Sequence, residues 1–302
     1  MTMKCRQSDA GVAEVSVTRR HVLGWAGVAP FAFMSSKATA TSRPAPPEQF
    51  AELVASAVKN RRRVALATSF EPAMSEDRAY EYQDAVVRRL AGRSEIAGIK
   101  GGGMTAASQS RLGGGPFFGA LLPSGTMRSG VAIDLDAYRE LVLETEIGFE
   151  LGRPVSNELD MQGLRGAIAG VRPVIELPDN MFERNASFTS RDLIAANVLA
   201  RCQIVGTRRF SSDLDVDAIT VRLSRDGKEI HSASASGTFG GQWDALLWIV
   251  NNAVRRRGRL AKGCLVITGA LGGVLRAQAG SYRADFGPLG VIEFAMNGAF
   301  SA

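Results

Sequence analysis

Two glutamates separated by one residue are the first feature of this sequence that could do chemistry. Glu144 and Glu146 lie in the alternating run 143–147, which is typical of a strand, and residues two apart on a strand project to the same face. Two adjacent carboxylates repel each other, so they either face water or share a divalent cation. Hard cations such as Mg²⁺ prefer oxygen ligands and keep positions open for water or substrate. A third acid in an apolar setting would favour the metal.

Glu176 is an acid of this kind. It lies in the apolar run 174–177, where an unpaired buried charge costs several kcal/mol unless it is paired or coordinated. The alternative is a carboxylate on an edge strand, exposed to water. Taken together, Glu144, Glu146 and Glu176 form the candidate metal site of this sequence.

Other catalytic chemistries have few residues to use. Outside the first forty residues His231 is the only histidine, and its place after the turn residues Asp226 and Gly227 predicts a surface position on an alternating strand. This supply argues against a Ser-His-Asp triad and excludes a zinc site built from several histidines or cysteines. Cys202 and Cys264 fit either a disulfide or two buried free thiols.

The first forty residues have the layout of a targeting segment. The pair Arg19-Arg20 precedes an apolar run at 22–34, and the small-residue triplet 38–40 follows. This order is typical of a twin-arginine export signal with a cleavage site. We therefore predict a signal peptide over residues 1–40, a single domain over 41–302, and a periplasmic location.

Charge and hydrophobicity restrict the classes of partner. The whole chain carries a net charge of +6, and without residues 1–40 it has 31 Lys and Arg against 28 Asp and Glu. That excess is small and dispersed, which argues against a nucleic-acid partner. The arginine runs at 61–63 and 255–257 are expected at solvated helix ends. The sequence has no uninterrupted run of about 18 apolar residues, so we expect no membrane span after export.

The residue pattern predicts an α+β fold. Apolar residues at helical spacing predict a helix around Phe50 to Val58 and a second one from the N-cap Ser75 to Gly92. A glycine-rich loop is expected at 98–103. From about Gly115 short alternating runs predict strands, including a hairpin at 226–227 and strands at 264–268 and 290–294, interrupted by a helix over 243–254.

Several motifs then occur in the order of a known family. From about Tyr80 to Phe294 the sequence resembles the 2-keto-4-pentenoate hydratase and 4-oxalocrotonate decarboxylase branch of the fumarylacetoacetate hydrolase superfamily. Seven segments resemble motifs of this family in the family's order. They are Ala79–Gln83 (AYxxQ), Gly98–Gly102 (GYKxG), Glu144–Phe149 (ExEIAF), Pro173–Asp179 (PALEIxD), Trp248–Asn251 (WLAN), Leu260–Gly263 (LxxG) and Thr268–Leu271 (SGAL). The resemblance implies a fold with amino-terminal helices followed by a curved mixed β-sheet roll, and a homo-oligomer.

The resemblance also implies roles for individual residues. Glu144, Glu146 and Glu176 match ligands of Mg²⁺ or Mn²⁺, and Lys100 matches a lysine of the substrate pocket, whose pKa burial beside a metal would bring toward neutrality. Thr268 and the amides of Gly269 and Ala270 are expected to hold the substrate carboxylate. The substrate implied is a small 2-oxo or 2-hydroxydienoic acid. The implied reaction is addition of water to a 2-hydroxy-2,4-dienoate.

Departures from the family pattern keep other functions open. Phe117 stands where hydratases commonly have an acid, and Ala106 stands near the position of a second lysine. A metal-dependent 2-oxo-acid decarboxylase needs no acid at Phe117 and is the first alternative. A non-catalytic periplasmic binder of 2-oxo acids is the second. Hydrolytic cleavage of a carbon–carbon bond fits less well, because it relies on a histidine-centred base.

Overall fold

The computed structural model describes residues 46–207 and 214–300. The predicted signal peptide lies outside the described residues, so the division into a signal segment and one domain stays a prediction. Within the described part of the chain, no helix has the length and apolar character needed to cross a membrane.

The helices begin the fold as predicted. The described residues contain six α-helices: α1 Pro46–Asn60, α2 Glu76–Ala91, α3 Ala106–Leu112, α4 Met161–Arg165, α5 Ser190–Ala195 and α6 Gln242–Arg257. Ser75 caps α2, because its hydroxyl accepts a hydrogen bond from the Arg78 amide at 3.1 Å, as the N-cap position requires. The predicted helices at α1, α2 and α6 are confirmed.

A curved mixed sheet of eight strands forms the centre of the fold and confirms the predicted class. Its spatial order is β2 Phe117–Leu121, β1 Gly98–Gly102, β10 Leu265–Ile267, β5 Val142–Leu151, β6 Ile168–Leu177, β7 Cys202–Val205 and β3 Thr126–Arg128, with β11 Leu275–Arg276 paired to β5. The pairs β1 with β10 and β3 with β7 are parallel, and the others are antiparallel.

A second, five-stranded sheet contains the predicted hairpin. Its order is β4 Ala132–Asp134, β13 Val291–Asn297, β12 Gly280–Asp285, β8 Thr220–Arg225 and β9 Lys228–Ser234. Asp226 and Gly227 connect β8 to β9 with φ angles of 51° and 79°. Positive φ at both central residues is what a tight hairpin turn of matching twist requires.

The glycine-rich segment 98–103 corrects one prediction, because most of it is the strand β1 and not a loop. Glycine here serves close packing: a Cβ on Gly102 would lie 2.3 Å from Cε2 of Phe117. The helix α2 holds the neighbouring strand β2 in place. The Phe118 amide donates to the Tyr80 hydroxyl at 3.2 Å, and Gln83 Nε2 donates to the Phe118 carbonyl at 2.8 Å. Tyr80 and Gln83 of the AYxxQ-like segment thus position the sheet edge.

Cys202 and Cys264, the cysteines of the described residues, are free and buried. Cys202 lies on β7 with its sulfur 3.3 Å from the Tyr138 hydroxyl, and Cys264 immediately precedes β10. Of the two possibilities left by the sequence, the structure therefore has the free thiols.

Candidate metal centre and its cavity

The pairing of β5 with β6 brings the three glutamates together. Glu144 and Glu146 lie on one face of β5, and Glu176 of β6 is the direct cross-strand partner of Glu144. Each glutamate offers a carboxylate oxygen, and these three atoms lie within 4.8 Å of one another. The spacing along β5 therefore supplies two of the carboxylates, and the register between β5 and β6 supplies the third.

Burial makes this cluster costly without a cation. Glu146 and Glu176 are fully buried, and Glu146 Oε1 and Glu176 Oε2 have no hydrogen-bond partner among the described residues. Burial, opposed in part by Lys100, raises the pKa of Glu176 to about 8. Burial and the charges of Glu176 and Glu144 raise the pKa of Glu146 well above its usual range. Converging buried carboxylates with unpartnered oxygens fit a hard divalent cation.

Lys100 lies on β1 against the same cluster. Its Nζ is 2.5 Å from Glu176 Oε1 and 3.9 Å from Glu144 Oε2, and the side chain is 2% exposed. Burial lowers the pKa of Lys100, but the charges of Glu176, Glu144 and Glu146 outweigh it and raise that pKa above its ordinary value. The shift toward neutrality was predicted for a lysine beside a bound metal and stays a prediction; the carboxylates alone act in the opposite direction. Lys100 is an ammonium that partly neutralises the carboxylates.

A strained turn fixes the position of Lys100. Asn197, Val198 and Leu199 have φ angles of 54°, 53° and 55°, and a left-handed conformation costs a non-glycine residue roughly 1–2 kcal/mol. The Asn197 side chain holds the turn to β2, accepting from the Ala120 amide at 2.7 Å and donating to its carbonyl at 2.9 Å. The turn thereby presents the Val198 carbonyl to Lys100 Nζ at 3.3 Å.

The predicted substrate-carboxylate residues divide into two groups. Thr268 is fully buried, and its hydroxyl contacts Ile147 O at 3.1 Å and Gln242 Oε1 at 2.5 Å, away from the cavity. Gly269 and Ala270 do line the cavity, and the Gly269 amide donates to Glu146 Oε2 at 2.7 Å. Thr268 therefore orients the loop, while Gly269 and Ala270 stay candidates for contact with substrate.

Glu144 and Lys100 of the cluster line a cavity of about 900 Å³, whereas Glu146 and Glu176 are fully buried and absent from its lining. Phe117 lies in its wall, so the position where hydratases commonly have an acid is apolar here. Ala106 begins α3 and is absent from the lining, whereas other residues of that helix contribute to it. The charged lining residues among those described are Lys100, Glu144 and Arg111.

Two contributors to this cavity were missed in the sequence. Arg111 lies in the last turn of α3, a helix whose N-terminus is marked by a capping box of Thr105 and Ser108; that signal predicts the helix and its exposed face. The left-handed run 197–199 had no local signal, since asparagine alone of its residues favours positive φ.

His231 lies on β9, as predicted. Its Nε2 is 2.9 Å from the Leu271 carbonyl oxygen, and its side chain is half-buried and absent from the cavity lining. The residue therefore supports the loop after Ala270 and does not face the carboxylate cluster.

Proteins similar to this chain in sequence are named as hydratases and as a decarboxylase. The chain is 29% identical over 208 residues to a 2-keto-4-pentenoate hydratase of Paraburkholderia phymatum, covering 68% of this chain and 79% of the relative. It is 24% identical over 215 residues to a 4-oxalocrotonate decarboxylase of a Pseudomonas species, covering 70% and 83%. No protein-family model matches the chain.

Solved structures show the same fold. A 4-oxalocrotonate decarboxylase from Pseudomonas putida G7, complexed with magnesium and adipate, has a TM-score of 0.78 at 20% identity, covering 83% of this chain and 97% of that one. A fumarylpyruvate hydrolase from Pseudomonas aeruginosa, in complex with Mn²⁺ and pyruvate, has a TM-score of 0.51 at 15% identity, covering 66% and 88%.

The fold is that of the fumarylacetoacetate hydrolase superfamily, in agreement with the resemblance predicted from the motifs. In sequence the chain is similar to the branch of the 2-keto-4-pentenoate hydratases and 4-oxalocrotonate decarboxylases.

Proposed function

We propose that this protein is a hydratase, dependent on Mg²⁺ or Mn²⁺, that adds water to a 2-hydroxy-2,4-dienoate such as 2-hydroxypenta-2,4-dienoate. The product is a 4-hydroxy-2-oxo acid. The observation that carries the proposal is the convergence of Glu144, Glu146 and Glu176 beside Lys100 at a cavity large enough for an organic acid. The named activities of the relatives agree with it.

Different residues of the site would bind the metal and the substrate. Glu144, Glu146 and Glu176 would hold the cation, which supplies positive charge to polarise the oxygens of a bound 2-oxo acid. The Ala270 amide would contact the substrate carboxylate from the cavity wall, whereas the Gly269 amide is bonded to Glu146 Oε2.

Lys100 is the proton donor in this reaction, because its Nζ lies at the carboxylate cluster and carries the cationic N–H groups of the cavity nearest to it. A proton delivered to the terminal carbon of the dienol, with loss of the 2-hydroxyl proton, gives a 2-oxo-3-enoate. Water then adds its hydroxyl to C4 and a proton to C3. The Val198 carbonyl and Glu176 hold the ammonium in place throughout.

Phe117 supports decarboxylation as the second candidate. Apart from the metal-binding glutamates, no carboxylate from the described ranges 46–207 and 214–300 lines the cavity, so water has no evident carboxylate base there. Loss of carbon dioxide from a 2-oxo acid needs the same charge stabilisation and Lys100, but no activated water.

One assay separates these functions. The protein is incubated with 2-hydroxypenta-2,4-dienoate or 4-oxalocrotonate, first with Mg²⁺ and then with EDTA, while ultraviolet absorbance and carbon dioxide are followed. Metal-dependent formation of a 4-hydroxy-2-oxo acid supports hydration, and carbon dioxide release supports the decarboxylase. Binding of either acid without turnover would identify the protein as a 2-oxo-acid binder.

We also propose that the protein is exported to the periplasm and acts as a homo-oligomer. Export is supported by the order of Arg19-Arg20, the apolar run and the small-residue triplet. Replacing both arginines by lysine should keep the protein in the cytoplasm on cell fractionation. Light scattering of the mature protein measures the number of subunits, and a monomer would contradict the second part.

A further inference from the structure

Gln242 is a buried side chain that contacts two segments bordering the cavity. It is the first residue of α6, is fully buried and is absent from the cavity lining. Its Nε2 donates to the Ala235 carbonyl at 2.8 Å and to the Thr238 hydroxyl at 2.9 Å. Because a carbonyl oxygen can only accept, the contact with Ala235 fixes the orientation of the amide. Gln242 Oε1 therefore accepts from the Thr268 hydroxyl at 2.5 Å.

The residue after Thr268 contacts the candidate metal site. The Gly269 amide donates to Glu146 Oε2 at 2.7 Å. The other carboxylate oxygen, Glu146 Oε1, is buried and has no hydrogen-bond partner among the described residues. The Gly269 amide thus holds one oxygen of this carboxylate and leaves the other available to a cation.

The direction of the Gly269 amide depends on Thr268. Backbone hydrogen bonds hold the loop on either side of this amide, from Thr268 N to Ile147 O at 3.2 Å and from Leu271 N to Thr145 O at 2.9 Å. Neither bond includes the Gly269 amide, and Gly269 has a φ angle of 104°, in a region that glycine enters freely. The peptide plane that carries the amide begins at Thr268. Fixing the Thr268 side chain therefore restricts where the amide points.

We propose that Gln242 is a positioning residue for the metal site. Through the Thr268 hydroxyl it fixes the direction of the Gly269 amide, and this amide orients the Glu146 carboxylate toward the cation. The assignment rests on the proposed function, because it needs a divalent cation at the three glutamates. The same side chain also holds Thr238, which lines the cavity, so Gln242 ties the metal ligand to the wall of the substrate cavity.

The test measures the Kd of the protein for Mg²⁺ by calorimetry. Gln242→Met keeps the length of the side chain and removes its three hydrogen bonds, so the Kd should rise roughly 10- to 100-fold, as for other groups that orient a metal ligand. Gln83→Met is the matched control. Gln83 is also fully buried and makes three hydrogen bonds, to Phe118, Ile194 and Arg257, but none to the loop after β10. Its variant should keep the native Kd.

Two substitutions at Thr268 test the contact from its other side. Thr268→Val has nearly the same shape and removes the hydroxyl, so it should weaken Mg²⁺ binding as Gln242→Met does. Thr268→Ser keeps the hydroxyl and should keep the native affinity. In the double variant, Gln242→Met with Thr268→Val, the two losses should not add, because both substitutions break the same contact.

The outcomes separate this inference from the proposed function. A native Kd for Mg²⁺ in folded Gln242→Met, an equal loss in Gln83→Met, or additive losses in the double variant would overturn the assignment while leaving the metal site standing. If Gln242→Met does not fold, the Thr268 pair decides, and equal affinities of its Val and Ser variants would overturn the assignment. If the native protein binds no Mg²⁺, the proposed function fails, and the role of Gln242 fails with it.

Discussion

Removal of the divalent cation is expected to make the stability of this protein fall as pH rises. In the folded protein, burial raises the pKa of Glu176 to about 8, whereas in the unfolded chain a glutamate titrates near about 4.3. Between these values the folded state holds a proton that the unfolded state has released. The stabilisation is therefore complete below about pH 4.3 and is lost as pH rises through about 8.

Glu176 contributes one proton to the effect, and Glu146, whose pKa is also raised, acts in the same direction. The Glu176 proton alone gives a slope of about 1.4 kcal/mol per pH unit, so the apoprotein loses at least roughly 3 kcal/mol between pH 5.5 and pH 7.5. For a domain of this size that corresponds to roughly 6–12 °C in Tm. A bound cation needs the carboxylates ionised, so its own stabilisation should be larger at the higher pH.

Calorimetric melting of EDTA-treated and Mg²⁺-loaded protein at the two pH values measures both trends. Glu176→Gln removes the titrating group, so the slope of its apoprotein should be less negative by about 1.4 kcal/mol per pH unit. Glu183→Gln, at an exposed position, should behave as the native protein does. An apoprotein Tm that does not fall with pH, together with the same Mg²⁺ effect at pH 5.5 and 7.5, would refute the reasoning.

Two further substitutions test the surroundings of the metal centre. Lys100→Met should lower turnover by roughly 10²–10⁴-fold. Mg²⁺ binding, measured by calorimetry, should persist, because the lysine competes with the cation for Glu176. Unchanged turnover would exclude Lys100 as the proton donor. Asn197→Ala removes both hydrogen bonds to Ala120 and should lower the free energy of unfolding by roughly 2–4 kcal/mol in urea. An unchanged midpoint would show that the left-handed turn does not depend on this side chain.

Much of the candidate metal site could be predicted, because the pattern that indicates it lies within short stretches of sequence. The two-residue period of a strand places Glu144 and Glu146 on one face whatever the rest of the chain does. The burial of Glu176 followed from its apolar neighbours, and Ser75 marked the start of α2 through its hydroxyl. The order of the family motifs then indicated the fold.

Local signals failed where conformation depends on a distant partner. Glycines at 98–103 indicated a loop, but Phe117 packs against them and makes the segment a strand. Thr268 was expected to face the substrate, but Gln242 holds its hydroxyl inside the protein.

The sequence by itself determined the types of the chemical groups and the spacing of those on one strand. Only the tertiary structure decided that Glu176 lies opposite Glu144, that the turn at Val198 presents its carbonyl to Lys100, and that Arg111 lines the same cavity. The physical reason is that the direction of a side chain along one strand is set by the backbone of that strand. Register between strands and the backbone strain at Val198 are set by packing and hydrogen bonds between residues far apart in the chain.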